Sequence, residues 1–510
     1  MLGVILLVGG LVRFWYLGSR GLFLSDEGFL HLEAGTVHAL LFGARPDGLP
    51  LGMQFMTPVR SGRLAHDLLL AFLEHIHPGA DAGPLLSAIA GTLVIALTWH
   101  VADRLWGRRE AVLGALLVAL SPFAVAYSRA GLSDMLGTMW SLVALAAFLA
   151  CAPVRGGRPS GRWTVVGAAA VAGFAGAGAV LTSDRYAHVL LLLPVAVLLM
   201  RAPARLILPT AGVGAALPLL AGEWLERRWT ATWGPGVFPG GALVSQLAGF
   251  YGRHGAEGFA WRGAHAFFSY LAADEGPVSA VAAVVAIGWL AADRQRDRRE
   301  WAVHLWWLAP LLLWSAYWTK CHRFFCHAIP FLALLKARWI CHGMARLSRR
   351  GWVPAAAGLV LAASSLPALQ EELVMRAPYA QALTIAGARL PLHLSTNIWV
   401  GAALGGFGRC QPVPSSRREL DGLQRAGYAG LMTDLQMWFG GLSDADRRLD
   451  LVARVTRGRK PLVSIPYDRR GLRFFAYNQA QRFETLPQAI PALAGAGILP
   501  AVRVYALPAE

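Results

Sequence analysis

Apolar runs close to a membrane thickness in length, separated by short arginine clusters, fill the first 370 residues. A helix needs about 20 predominantly apolar residues to cross a bilayer, and in lipid only helices and closed barrels satisfy every backbone polar group. Such runs lie near 1–17, 84–102, 110–127, 134–152, 163–181, 186–200, 205–221, 277–292, 301–318, 324–341 and 352–369. The expectation is a polytopic α-helical membrane protein with about eleven transmembrane helices. Composition agrees, with 55% hydrophobic residues, 15% charged residues and a mean hydropathy of +0.46. Soluble domains carry about 25% charged residues, so a disordered chain is excluded and a cytosolic enzyme disfavoured. The first run lacks a charged leading region and a small-residue cleavage site, so it reads as a membrane helix rather than a cleaved signal.

The arginine clusters set an orientation. Arg104, Arg108 and Arg109 follow the second run, and Arg155, Arg158 and Arg162 the fourth. Arg201 and Arg205 follow the sixth, Arg294, Arg296, Arg298 and Arg299 the eighth, and Arg346, Arg349 and Arg350 the tenth. All five fall on one side, which the positive-inside rule makes cytoplasmic. An odd helix count then places the C-terminal segment outside the cell membrane. The formal charge of +17 is accordingly a topology signal, and membrane lipids rather than nucleic acid are the expected partners.

Three long pieces face outward on this reading: 18–83, 222–276 with an amphipathic stretch near Leu243–Leu271, and the tail from 370. The tail has short apolar runs that read as strands at Leu392–Thr396, Tyr428–Thr433, Pro461–Pro466 and Ala501–Leu507. Helices are expected at 415–426, 443–457 and 487–496. The chain thus divides into a membrane domain, 1–370, and a small extracytoplasmic α/β domain with a mostly parallel sheet, 371–510. The cysteines (Cys151, Cys321, Cys326, Cys341, Cys410) form no disulfide framework. Neither Cys321-His322 with Cys326-His327 nor His75 with His77 is a strong metal signal.

Four polar patches fall on the outward side. Asp26-Glu27 has apolar flanks (Leu22-Phe23-Leu24 and Phe29-Leu30), and a carboxylate pressed against a bundle in this way suits a general base. Arg129 and Asp134 bracket a turn between two apolar helices, either as an ion pair or as an anion site. Ser183-Asp184-Arg185 joins two further helices. Lys320, His322 and Arg323 cluster at a helix start, where the dipole favours an anion.

In this order, the residues resemble a known class. Arg13-Phe14-Trp15-Tyr16-Leu17 precedes Asp26-Glu27, followed by Arg104-Leu105-Trp106-Gly107-Arg108-Arg109 and Ser121-Pro122-Phe123-Ala124-Val125-Ala126-Tyr127-Ser128-Arg129. Arg323-Phe324-Phe325 then leads into Ile329-Pro330-Phe331-Leu332. Over roughly 1–345 this is similar to the GT-C membrane glycosyltransferases, closest to the protein O-mannosyltransferase and aminoarabinose-transferase-like branch. The resemblance implies a polyprenyl-phosphate-sugar donor, an acceptor of unspecified kind on the outer side, inversion at the anomeric carbon, and no cofactor or metal. It makes Asp26 the base and Glu27 its adjacent acid. Arg129 and either Lys320 or Arg323 become donor-phosphate candidates through the resemblance; from the outward patches Arg185 is a further one, and Asp134, His322 and His31 are candidate supporting groups. Pro46-Asp47-Gly48-Leu49-Pro50 and Ser183-Asp184-Arg185 depart from the usual pattern and bear on the substrate. A lipid-linked glycan flippase and a non-catalytic anchor for the tail are the alternatives.

Overall fold

The computed structural model describes residues 1–43, 63–151, 161–200, 202–233, 266–292, 298–316, 321–344, 346, 352–387, 390–405, 409–434, 445–468, 470–471, 474 and 501–507. Helices form where the apolar runs lie: α1 (Leu2–Phe14), α2 (Ser25–Phe42), α3 (Leu64–Ile76), α4 (Ala82–Leu105), α5 (Arg108–Ala119), α6 (Pro122–Ser128), α7 (Asp134–Cys151), α8 (Arg162–Thr182), α9 (His188–Leu199) and α10 (Ala204–Trp233). After these come α11 (Ala266–Glu275), α12 (Pro277–Ala292), α13 (Arg298–Ala316), α14 (Ile329–Arg338), α15 (Val353–Ser364), α16 (Leu366–Val374) and α17 (Pro378–Gly387). Short 3₁₀ segments at Leu17–Ser19, Asp184–Tyr186 and His322–Ala328 connect several of them.

Among the described residues, seven helices are long and apolar enough to cross a membrane, or eight if the pair α5 and α6, bent by 60°, is one span. This is fewer than the eleven expected. The runs at 186–200 and 277–292 fold as helices of only 12 and 16 residues. The run at 110–127 breaks because Ser121 caps a new helix, its Oγ accepting from the Ala124 N–H at 3.0 Å, with Pro122 in the first turn. The amphipathic stretch near Leu243–Leu271 lies largely outside the described residues.

Close backbone approaches hold the bundle. A Cβ on Gly173 of α8 would sit 1.9 Å from the Ala211 carbonyl oxygen of α10, and one on Gly214 would sit 2.2 Å from the Ala170 carbonyl oxygen. Small residues thus face each other reciprocally, as in closely packed membrane helices. At the end of α1, buried Arg13 donates to the carbonyls of Gly9, Val118 and Ala119 and to Ser128 Oγ at 3.0–3.1 Å. One side chain therefore ties α1 to α5 and α6.

The tail folds around five strands: β1 (His393–Ser395), β2 (Cys410–Pro412), β3 (Gly430–Thr433), β4 (Val463–Pro466) and β5 (Ala501–Ala506), in the order β2-β1-β3-β5-β4. With them are α18 (Ile398–Gly405), α19 (Arg417–Arg425) and α20 (Ala445–Thr456). β1 runs parallel to β2 and β3, but β5 is antiparallel to β3 and β4. The sheet is therefore mixed rather than mostly parallel. The helix expected at 487–496 lies outside the described residues. Leu394, Leu420, Leu431, Leu451 and Tyr505 form the core of this unit. It docks on α2 through α18, where a Cβ on Gly28 would lie 2.5 Å from the Trp399 carbonyl group.

Gly173→Leu is expected to push α8 off α10 and destabilise the chain by about 1–3 kcal/mol, as overpacking does. Gly167→Leu, on an exposed face of the same helix with nothing within 4 Å, is expected to stay within about 0.5 kcal/mol of wild type. Thermal-shift size-exclusion measurements in detergent check the contrast.

Candidate active site

Asp26 and Glu27 occupy the first turn of α2, where the helix dipole favours negative charge. Successive helical residues point about 100° apart, and the two carboxylates have different surroundings. Glu27 is buried. It accepts from Arg20 at 2.7 Å, from the Phe23, Leu24 and Gly131 N–H groups at 2.8, 3.0 and 2.8 Å. It thereby welds the approach to α2 onto the turn between α6 and α7. The Asp26 side chain is one-third exposed and forms an ion pair with Arg323, which arrives from the segment before α14.

More positive charge surrounds that pair. Arg185 contacts Asp134 at 2.6 Å, donates from Nε to Ser183 Oγ at 3.2 Å and lies 5.2 Å over the Phe324 ring. Arg63, at the start of α3, lies over Phe29 and 3.8 Å from Glu33. Burial pushes the Asp26 carboxyl up, but the Arg323, Arg63 and Arg185 guanidiniums outweigh it and hold the group below the ordinary carboxylate range. Burial alone pulls Arg185 down, and the Asp134 carboxylate reverses the direction. The arrangement is an ionised carboxylate, open on one side, beside guanidiniums that can take up an anion.

A second network lies alongside. His322 Nδ1 is 2.7 Å from Tyr127 Oη, and its Nε2 contacts Asp274 at the end of α11. Arg470, from the segment after β4, reaches the same Asp274 at 2.7 Å and also contacts Glu372. Nearby, Phe474 packs edge-on against Phe23 at 6.1 Å and lies under Arg20 at 5.4 Å. The α/β unit thus inserts charged and aromatic side chains next to the loop that carries Asp26.

Of the residues expected from sequence, Asp26, Arg323, Arg185 and Asp134 come together. Asp134 pairs with Arg185, not with Arg129. Arg129 donates to the carbonyls of Glu372 at 2.7 Å and Trp15 at 3.0 Å, so its two terminal nitrogens brace the chain rather than face an anion. His322 sits in the neighbouring network. His31 pairs with Glu74 at 2.7 Å and fastens α2 to α3. Lys320 lies outside the described residues. Sequence reasoning missed Arg63, Asp274, Glu372 and Arg470. The acidic pair Asp274-Glu275 next to an apolar run was a usable signal, whereas nothing local marked Glu372 or Arg470.

Residues 65–221 match the family described as dolichyl-phosphate-mannose-protein mannosyltransferase. No curated protein matches the chain. Among solved structures, ArnT from Cupriavidus metallidurans bound to undecaprenyl phosphate aligns over 90% of this chain and 95% of that one, with a TM-score of 0.62 at 14% identity. The same protein in the apo state aligns over 91% and 95%, with a TM-score of 0.61 at 16% identity. This is a GT-C fold. The Archaeoglobus fulgidus oligosaccharyltransferase in complex with Zn and sulfate shares it more distantly, over 86% of this chain and 68% of that one, with a TM-score of 0.53 at 14% identity.

Because Asp26 has a lowered pKa in the folded chain, its stabilising contribution is present above the unfolded value of about 3.9. It is lost as pH falls through the lower folded value. Arg323→Gln removes the nearest opposite charge and is expected to raise the Asp26 titration. A carboxyl titration followed by isotope-edited infrared spectroscopy, with Asp26→Asn as the blank, should show the rise. An unmoved titration contradicts the assignment of Arg323 as the dominant partner.

Proposed function

We propose that the chain is a membrane glycosyltransferase that moves a sugar from a polyprenyl-phosphate donor to an acceptor on the outer side of the membrane. The observation that carries this reading is the partly open Asp26 carboxylate paired with Arg323 and flanked by Arg185 and Arg63. One structural neighbour is bound to undecaprenyl phosphate, and the archaeal neighbour has also been solved with a dolichol-phosphate. Both support a lipid phosphate as the leaving group here.

The chemistry needs one base and a positively charged seat. The acceptor oxygen or nitrogen attacks the anomeric carbon as the carbon–oxygen bond to the phosphate breaks. The electron pair of that bond leaves with the phosphate, and Asp26 takes the acceptor proton. Phosphate is already a good leaving group, so a second carboxylic acid of the glycosidase kind is unnecessary. When the donor phosphate draws Arg323 onto itself, Asp26 loses its strongest partner and becomes a better base. Glu27 and Arg129 act as positioning residues, Glu27 fixing α2 and Arg129 joining the α1 end to α16. In-line attack inverts the anomeric centre. Residues 371–510 form the extracytoplasmic domain in this scheme, and the acceptor reaches Asp26 from that side.

Asp26→Asn is expected to lower transfer from pooled polyprenyl-phosphate sugars about 10²–10⁴-fold, the usual contribution of a general base, with unchanged accumulation in membranes. Equal transfer by wild type and variant removes Asp26 as the base.

A further inference from the structure

Arg470, Gly471 and Phe474 of the tail reach the chain beside both members of the Asp26–Arg323 pair. On one side, Arg470 contacts Asp274 of α11 at 2.7 Å and Glu372 of α16. Asp274 in turn meets Nε2 of His322, whose Nδ1 lies 2.7 Å from Tyr127 Oη. Both ring nitrogens of His322 are therefore engaged, and the next residue in the chain is Arg323. On the other side, a Cβ on Gly471 would lie 2.7 Å from Phe23 Cε1, and Phe474 packs on the Phe23 and Tyr127 rings. The Phe23 N–H donates to Glu27, the neighbour of Asp26. A third contact of the tail, Trp399 edge-on to Phe29 at 5.1 Å, falls on the same first turns of α2.

The charges that carry the first of these contacts are out of water. The side chains of Arg470, Asp274, Glu372 and His322 are 4%, 4%, 1% and 2% exposed. Desolvation offsets most of the attraction within a buried ion network, so such a network is a poor source of net stability, and its best-attested use is to hold packed elements in one register. Arginine suits that use because its planar fork meets two carboxylates at once. Here Nε takes Glu372 and Nη1 takes Asp274. The two carboxylates stand on α11 and α16, and the fork comes from the sheet unit, so one residue aligns three parts of the chain. The guanidiniums that act on Asp26 directly are those of Arg323, Arg63 and Arg185. Arg470 acts on the pair through its neighbours.

We infer that Arg470 is a positioning residue for the transfer reaction: through Asp274 and His322 it sets where Arg323 stands relative to Asp26, so the base and its cation are in register only with the sheet unit docked. The inference gives the tail a part in catalysis and rests on the proposed glycosyltransferase reading. Removing the Arg470 charge leaves Asp274 and Glu372 buried with one cation fewer. They and the His322 ring then rearrange, and Arg323 loses its alignment with Asp26. Changing Asp274 to Asn as well removes one of the two negative charges and keeps an oxygen that accepts from His322 Nε2, so the second change restores the arrangement.

The test uses the full chain in nanodiscs. It reads the Asp26 carboxyl titration by isotope-edited infrared spectroscopy, with Asp26→Asn in each background as the blank, and transfer from pooled polyprenyl-phosphate sugars. Arg470→Gln should raise the Asp26 titration and lower transfer by up to about 10²-fold, the effect of misplacing a reacting group by about 1 Å. Arg470→Gln combined with Asp274→Asn should bring both back toward wild type. Arg470→Lys supplies a point charge that cannot span both carboxylates. It should give a smaller rise, and it carries the test if Arg470→Gln does not accumulate. A purely structural Arg470 would lower the melting temperature and leave Asp26 where it was. An unmoved Asp26 titration in the folded variants therefore overturns the inference, as does a rise that Asp274→Asn fails to reverse. A titration that responds as expected in a chain whose wild type transfers no sugar overturns the glycosyltransferase reading and leaves the coupling of Arg470 to the Asp26–Arg323 pair standing.

Discussion

Glu27 accepts four hydrogen bonds from three separate stretches of chain: Arg20, the turn at Phe23–Leu24, and Gly131 between α6 and α7. The ion pair with Arg20 is fully buried, so removing either partner would strand a charge away from water, a loss of about 3–5 kcal/mol. The start of α2 therefore cannot shift without dismantling this knot. Asp26, one residue earlier, inherits a fixed position next to a more exposed face. The other braces extend the same logic. Arg129 ties the approach to α2 to α16, His31 ties α2 to α3, and Gly28 lets α18 of the tail press directly on α2.

The site built on this frame is a cluster of paired charges. Three guanidiniums, from Arg63, Arg185 and Arg323, surround Asp26; Arg323 pairs with Asp26 itself, Arg185 with Asp134, and Arg63 lies 3.8 Å from Glu33. The Asp26–Arg323 contact holds both charges together in the unliganded state. It also makes substrate arrival and base activation one event, because the group that holds Asp26 down is the one a phosphate would attract.

The membrane class was legible in the sequence because lipid demands long apolar helices, and Asp26-Glu27 stood out because acids between apolar flanks need a reason. Hydropathy ignores helix breaks, so the expected runs and the described helices divide differently: Ser121-Pro122 starts a new helix, and the run near 186–200 folds into 12 helical residues. Four strands of the tail were recognisable from short apolar runs, but β2 spans only three residues. Strand direction was misjudged because the path between strands, not their composition, decides it. Arg323 meets Asp26 across 297 positions and Arg470 meets Glu372 across 98, separations at which no local pattern operates. Arg129 has the residue type of an anion site, and its two terminal nitrogens donate to the backbone carbonyls of Glu372 and Trp15.

The most direct test of the account is an experimental structure of the chain with undecaprenyl phosphate bound. The account predicts a phosphate within hydrogen-bond distance of Arg323 and Arg185, with Arg323 drawn away from an unpaired Asp26. A phosphate seated elsewhere, with the Asp26–Arg323 pair intact, would contradict it.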